Sequence, residues 1–254
     1  MAGEILSGSQ PTASRPGWGR ALRDILFPPV CVHCGRLVEG SRFEHLCNVC
    51  ADRIELVAPP HCDTCGFPFG GIVEGDRTCP HCEELVPKFR AGKTAALYRG
   101  PMASLVQRLK YHRGEYLGAD IARIAGAAPG FADFLGGATL VPVPLHRRKE
   151  RERGFNQTRL IAAAFARAAC GGAAVVSALQ RIVDTQTQTR LDREARRANL
   201  KNAFAMVPGR SLTPGGRIVL VDDIFTTGAT LNACASVLRK AGFENLDVAT
   251  LAHG

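Results

Sequence analysis

Large aromatic side chains are scarce in this chain of 254 residues, which has one Trp and three Tyr. A surface that grips single strands by stacking needs such rings in series, so the composition speaks against a dedicated stacking platform. No apolar run approaches the length of a spanning helix, and none is expected. Residues 1 to 17, MAGEILSGSQPTASRPG, lack the apolar core of a secretory signal. They are small, polar and Pro/Gly-bearing, and are expected to be disordered. Acidic residues are also in deficit: 23 Asp+Glu face 32 Lys+Arg, a net +9. That excess favours anionic partners without choosing among nucleotide, nucleic acid and membrane surface.

What the chain has in plenty is paired cysteine. Eight of its ten cysteines form four C-x-x-C pairs, Cys31/Cys34, Cys47/Cys50, Cys62/Cys65 and Cys79/Cys82. Two thiolates on a tight knuckle can take adjacent corners of a tetrahedron, and a second pair a dozen residues later completes it. The intervals fit, with 12 residues between Cys34 and Cys47 and 13 between Cys65 and Cys79. Two sequential four-cysteine zinc ribbons are expected, with an interleaved pairing also compatible with the spacing. A four-thiolate site has no open position for water, so the zinc is read as structural. His33, His61 and His81 lie beside the cysteines as bystanders; Cys170 and Cys234 fall in Ala-rich helical stretches and read as small core residues.

Ahead of the ribbons, Trp18, Leu22, Ile25 and Leu26 recur at helical spacing, predicting a short amphipathic helix packed on the zinc module. Beyond Pro87 the composition shifts. Strands are predicted near 93–98, 139–143, 175–182, 217–222 and 246–251, alternating with helices, which predicts a mostly parallel, doubly wound α/β sheet with a small hood. The helix from about Met102 to Tyr111 carries a basic end, Arg108, Lys110, His112 and Arg113, read by default as a solvated face, with a nucleic-acid or phosphate contact as the alternative.

The stretch Ile218 to Leu231, IVLVDDIFTTGATL, carries the most information. An apolar strand runs into a helix through a loop of phosphate size. Thr226, Thr227 and Thr230 offer hydroxyls, Gly228 lets backbone approach an oxyanion, and amides at a helix N-terminus favour a dianion. Adjacent Asp222 and Asp223 are costly unless they accept hydrogen bonds, and vicinal ribose hydroxyls supply matched donors. A second charged junction follows the strand at 138–143: His146 to Arg153 is dense in arginine, and Gly154, Asn156 and Gln157 lead into the next helix. Such a block can meet a pyrophosphate.

VDDIFTTGAT resembles the phosphoribosyl pyrophosphate (PRPP) signature of type I phosphoribosyltransferases. Val141-Pro142-Val143-Pro144, then Arg151 and Arg153-Gly154-Phe155-Asn156-Gln157, then Thr185, Gln188, Leu191, Arg196, Asn199 and Phe204, narrow the resemblance to the ComF branch, also called GntX-like. It covers about residues 18 to 254. The implied organisation is a disordered 1–17, an amphipathic helix plus double zinc ribbon over 18–86, and a phosphoribosyltransferase domain over 87–254.

The resemblance implies that Asp222 and Asp223 orient the ribose and that Thr226, Thr227, Gly228, Ala229 and Thr230 bind its 5′-phosphate. Arg151, Arg153, Asn156 and Gln157 become the pyrophosphate contacts, and Thr185, Gln188, Arg196 and Asn199 belong to a flexible closing loop. Val183 and Asn202 depart from the usual arginine and glycine there. Magnesium would come with PRPP, and the reaction implied is pentosyl transfer to an acceptor that no motif identifies. The branch also implies a cytoplasmic role in natural transformation, with single-stranded DNA and other competence proteins as partners. A PRPP sensor without turnover is the third reading. Glutamine amidotransfer is not carried over, because the amino-terminal region is committed to zinc-type pairs.

Overall fold

The computed structural model describes residues 28–71, 78–111, 114–183, 202–209 and 212–254. The expectations for 1–17, for the helix at 18–26 and for Thr185, Gln188, Arg196 and Asn199 lie outside the described residues. The helices are α1 (Asn48–Ala51), α2 (Pro80–Glu83), α3 (Gly100–Tyr111), α4 (Gly118–Ala127), α5 (Phe131–Leu135), α6 (Arg147–Arg153), α7 (Gln157–Ala168) and α8 (Ala229–Lys240). The strands are β1 (Gly92–Leu97), β2 (Thr139–Pro142), β3 (Ala174–Val175), β4 (Leu179–Arg181), β5 (Phe204–Met206), β6 (Ile218–Phe225) and β7 (Leu246–His253).

Five strands form one all-parallel sheet in the order β1-β7-β6-β2-β3. Parallel strands buried on both faces should read as near-continuous apolar runs, and Ile218-Val219-Leu220-Val221 does. Val219 and Val221 enter the core with α3, α4, α5 and α7, while Ile218 and Leu220 enter the one with α8. The region expected as one strand over 175–182 is divided: β3 closes the sheet edge, and β4 turns away to pair antiparallel with β5. Among the described residues no helix is long and apolar enough to cross a membrane.

From β2 the chain moves outward to β3, and from β6 it moves the opposite way to β7. The order therefore reverses between β2 and β6. Their carboxyl ends are the topological switch point, where open α/β sheets bind ligands.

The two cysteine modules repeat one construction. Cys31 N–H and Cys62 N–H donate to Arg36 and Phe67 carbonyls, and Gly35 and Gly66 close the knuckles with φ of 72° and 78°. The second pair of each module sits at the N-terminus of a one-turn helix, α1 or α2. The first module joins the α3/α4 side of the sheet and the second the α8 side.

Candidate functional site: a phosphate loop, an acid pair and a basic cleft

β6 continues three residues past the expected end, so Asp222 and Asp223 belong to the strand itself, opposite Thr250 and its neighbours on β7. Only Thr226 to Gly228 form the turn, and Gly228, at φ 69°, caps α8. The Thr227 hydroxyl accepts from Ala229 N–H at 3.4 Å. Asp222, Ile224, the residues 226–230 and Leu231 enclose a hollow of about 30 Å³ at the helix N-terminus.

Asp223 is buried, and each of its carboxylate oxygens has a donor. Lys110 Nζ lies 3.1 Å from Oδ1, and Gln157 Nε2 donates to Oδ2 at 2.9 Å. Arg153 Nη1 donates to Gln157 Oε1 at 2.8 Å, and its guanidinium lies 5.5 Å from the Tyr111 ring centroid. Since Lys110 and Tyr111 are consecutive, the ring Lys110–Asp223–Gln157–Arg153–Tyr111 closes on itself across α3, β6, α7 and α6. The basic end of α3, read from sequence as solvated, is therefore partly a site residue: Lys110 is 20% exposed.

Asp222 Oδ1 accepts the Asp223 backbone N–H at 2.8 Å. Burial first, then the Asp223 charge, pushes its carboxyl up to about 8, against the lowering pull of that N–H, Lys110 and Arg181. The folded value lies above the unfolded one, so the folded state binds the extra proton and loses stability as pH rises from about 4 to about 8. Asp222→Asn should therefore raise Tm by about 2–4 °C at pH 8, with the gain shrinking toward pH 4. Thermal unfolding of both proteins at the two pH values checks this; a constant difference would refute the proton account.

The segment that the resemblance makes a pyrophosphate loop is a helix over Arg147–Arg153, with His146 as its N-cap. The His146 side chain accepts from Arg148 N–H, and Arg148 pairs with Glu152 at 3.0 Å one turn on, both features that favour a helical turn over open loop. α6 then stops at Gly154, in left-handed conformation. Its exposed side chains and α3 bound a cleft of about 510 Å³ lined by Lys110, Tyr111, Lys149, Arg151, Glu152, Arg153 and Gly154. Four cations against one carboxylate make it an anion trap.

The sequence-chosen residues thus part company. Arg151 and Arg153 line the cleft, Gln157 bridges Arg153 to Asp223, and Asn156 is buried as the N-cap of α7. Its amide donates to Val143 O at 3.3 Å and its oxygen accepts Thr158 N–H at 3.0 Å. Arg181 was not singled out, and Lys110 was named only within the basic end of α3. Lys110 had a signal, its place at the C-terminus of a helix with an apolar face; Arg181, whose charge acts on both Asp222 and Cys234, had none.

Both cysteine sets form in sequential order, Cys31/Cys34/Cys47/Cys50 and Cys62/Cys65/Cys79/Cys82, with the ligand atoms of each within 4.8 Å of one another. Four thiols at that spacing suit tetrahedral zinc. The first module is anchored to the body by buried Asp120, which accepts Glu44 N–H at 2.7 Å and His45 N–H at 2.8 Å and pairs with Arg123 at 3.1 Å. The second abuts the Thr226–Gly228 turn through Leu85. Asn232, on α8, accepts Lys88 N–H at 2.6 Å, and Arg239 Nε donates to Lys88 O at 2.8 Å.

A parallel sheet with an acid pair and a phosphate-sized loop at its switch point, fronted by two four-cysteine modules, defines a phosphoribosyltransferase-fold protein with a double zinc ribbon. Family models agree: Double zinc ribbon domain matches residues 22–83, and Phosphoribosyl transferase domain matches 166–254. Competence protein F of Haemophilus influenzae is 30% identical over 88% of this chain and 96% of its own length. DNA utilization protein YhgH of Salmonella typhi is 32% identical over the same shares, and Competence protein ComFC of Bacillus subtilis is 26% identical over 78% and 80%. The chain belongs to the competence protein F family.

Proposed function

We propose that this protein binds magnesium PRPP at the β6–α8 junction and transfers the phosphoribosyl group to an acceptor. The observation that carries the proposal is the union, on one strand-turn-helix, of two carboxylates and a helix-capping threonine-glycine loop beside a cleft of four cations. The 5′-phosphate would sit on the N–H groups and hydroxyls of 226–230, as anions do at helix N-termini. The ribose hydroxyls would donate to Asp222 and Asp223, and the pyrophosphate would lie toward Arg151 and Arg153. Magnesium, carried on the ligand's phosphate oxygens, would lower the charge on the leaving group.

In the reaction, the C1–O bond to pyrophosphate breaks and its electron pair stays with the pyrophosphate oxygen. The acceptor's lone pair forms the new C1 bond, and its proton passes to the departing pyrophosphate. The transition state has oxocarbenium character, as in glycoside chemistry. The part of this chain is to orient the ribose and to stabilise the leaving anion with preorganised cations.

Calorimetric titration of magnesium PRPP into zinc-loaded protein tests the reading. Wild type should bind, and D222N/D223N should lose affinity by about 100-fold or more, since both carboxyl groups that would accept from the ribose hydroxyls are replaced. Absence of binding by folded wild type would overturn it. A second reading, handling of single-stranded DNA during uptake, is supported by the names of the relatives, Competence protein F and DNA utilization protein, and by the net +9. It calls for single-strand binding that weakens steeply with salt.

A further inference from the structure

We propose that Lys110 is a pyrophosphate-binding and positioning residue, contributed by α3 from outside the Arg151–Gln157 block. The inference rests on the PRPP reading and deepens it. Lys110 lines the 510 Å³ basic cleft and also lies 3.1 Å from Asp223. An ammonium has three N–H donors in tetrahedral array, so one directed at Asp223 leaves two for another acceptor. Arg153 is committed through Nη1 to Gln157, and Gln157 through Nε2 to the same Asp223, so the ribose-side acid and two of the cleft cations, Lys110 and Arg153, share one ring of polar contacts closed by the Arg153–Tyr111 stacking. A point charge on that ring, between the acid that would hold the ribose and the arginines that would face the leaving group, sits where a β-phosphate or α-phosphate oxygen would be shared. Arg151 is exposed, whereas the Lys110 side chain is four-fifths buried, so its charge is less screened by water. An incoming polyphosphate replaces the solvent at its free N–H groups without breaking the pair with Asp223.

The experiment compares wild type, Lys110→Met and Lys110→Arg, all zinc-loaded, by calorimetry with three probes: magnesium pyrophosphate, ribose 5-phosphate and magnesium PRPP. Lys110→Met should weaken magnesium pyrophosphate by about tenfold or more, the scale of a lost charge-assisted hydrogen bond, and weaken PRPP at least as much. Ribose 5-phosphate should suffer less, and Lys110→Arg should recover pyrophosphate binding to within a few-fold. If Lys110 only held Asp223 in place, ribose 5-phosphate and PRPP would weaken equally and pyrophosphate would be untouched, which overturns the inference while leaving the PRPP reading intact. Wild type that binds neither PRPP nor pyrophosphate overturns both. Equal melting temperatures of wild type and the methionine variant separate lost binding from lost folding; should that variant unfold, Lys110→Gln carries the same pyrophosphate comparison.

Discussion

Cys65→Ser is expected to remove one zinc per chain and to abolish PRPP binding, whereas Cys34→Ser should remove one zinc and weaken PRPP less, reaching the site only through α3. The asymmetry follows from what each module touches. The second cluster is buried at all four cysteines, while Cys34 of the first is exposed. From the second cluster, Cys65 O accepts the Thr94 hydroxyl at 2.9 Å, and Gly92 N–H donates to Asp63 O at 2.8 Å, tying the knuckle to β1. On its other side Leu85 reaches the phosphate loop, and Asn232 and Arg239 of α8 hold Lys88 at 2.6 and 2.8 Å. Structural zinc contributes about 10–16 kcal/mol to modules of this kind, as much as the whole stability of a typical domain, about 5–15 kcal/mol. Loss of one thiolate therefore cannot be absorbed locally, and the wall against α8 goes with it. The first module leans on Asp120 and α3, across the sheet from α8. Metal analysis, thermal unfolding and PRPP calorimetry on the two variants decide the matter. Equal binding by both would refute the coupling of the second module to the loop.

Much of this arrangement was readable because each device leaves a local signature. Four C-x-x-C pairs at intervals of 12 and 13 residues specify two metal ligand sets, and only the choice between sequential and interleaved pairing needed three dimensions. The run from Ile218 to Val221 announced a central parallel strand because both of its faces are buried. Where the sequence misled, competing local and tertiary terms were close. Residues 146 to 153 read on their own as an exposed helix, and only the resemblance made them a loop; an N-cap and an i,i+4 ion pair hold them as helix. β6 runs on past Asp222, where the strand was expected to end, because pairing with β7 extends to Phe225 and His253, and nothing in a pair of aspartates marks that register. For Lys110 the solvated reading was preferred over a phosphate contact for a different reason: its partner is more than a hundred residues away, and a basic helix end is by default solvated. Asn156, named for its position in a motif, serves in this structure as a helix cap, a role its place before a helix also signals.

The phosphate loop itself has a sharper test in two glycines of nearly equal backbone geometry. Gly228 has φ 69° and Gly209 has φ 71°, so an added methyl group costs each about 1–3 kcal/mol of left-handed strain. Their surroundings differ. A Cβ at Gly209 would meet nothing within 4 Å, while one at Gly228 would lie 2.6 Å from the Phe225 ring and 2.7 Å from Leu85. Both neighbours are buried, Phe225 stacks on His253 at 5.2 Å, and neither can retreat without moving β6 or the second zinc module. Gly209→Ala should therefore lower Tm by a few degrees and leave affinity for ribose 5-phosphate unchanged. Gly228→Ala should lower Tm further and weaken ribose 5-phosphate by about tenfold or more, because the displaced turn no longer presents its N–H groups together. Thermal unfolding and calorimetry on the pair separate dihedral strain from crowding. If the two variants melted together and bound ribose 5-phosphate alike, the turn at Gly228 would not be the phosphate cradle, and the acid pair would have to hold the ligand without it.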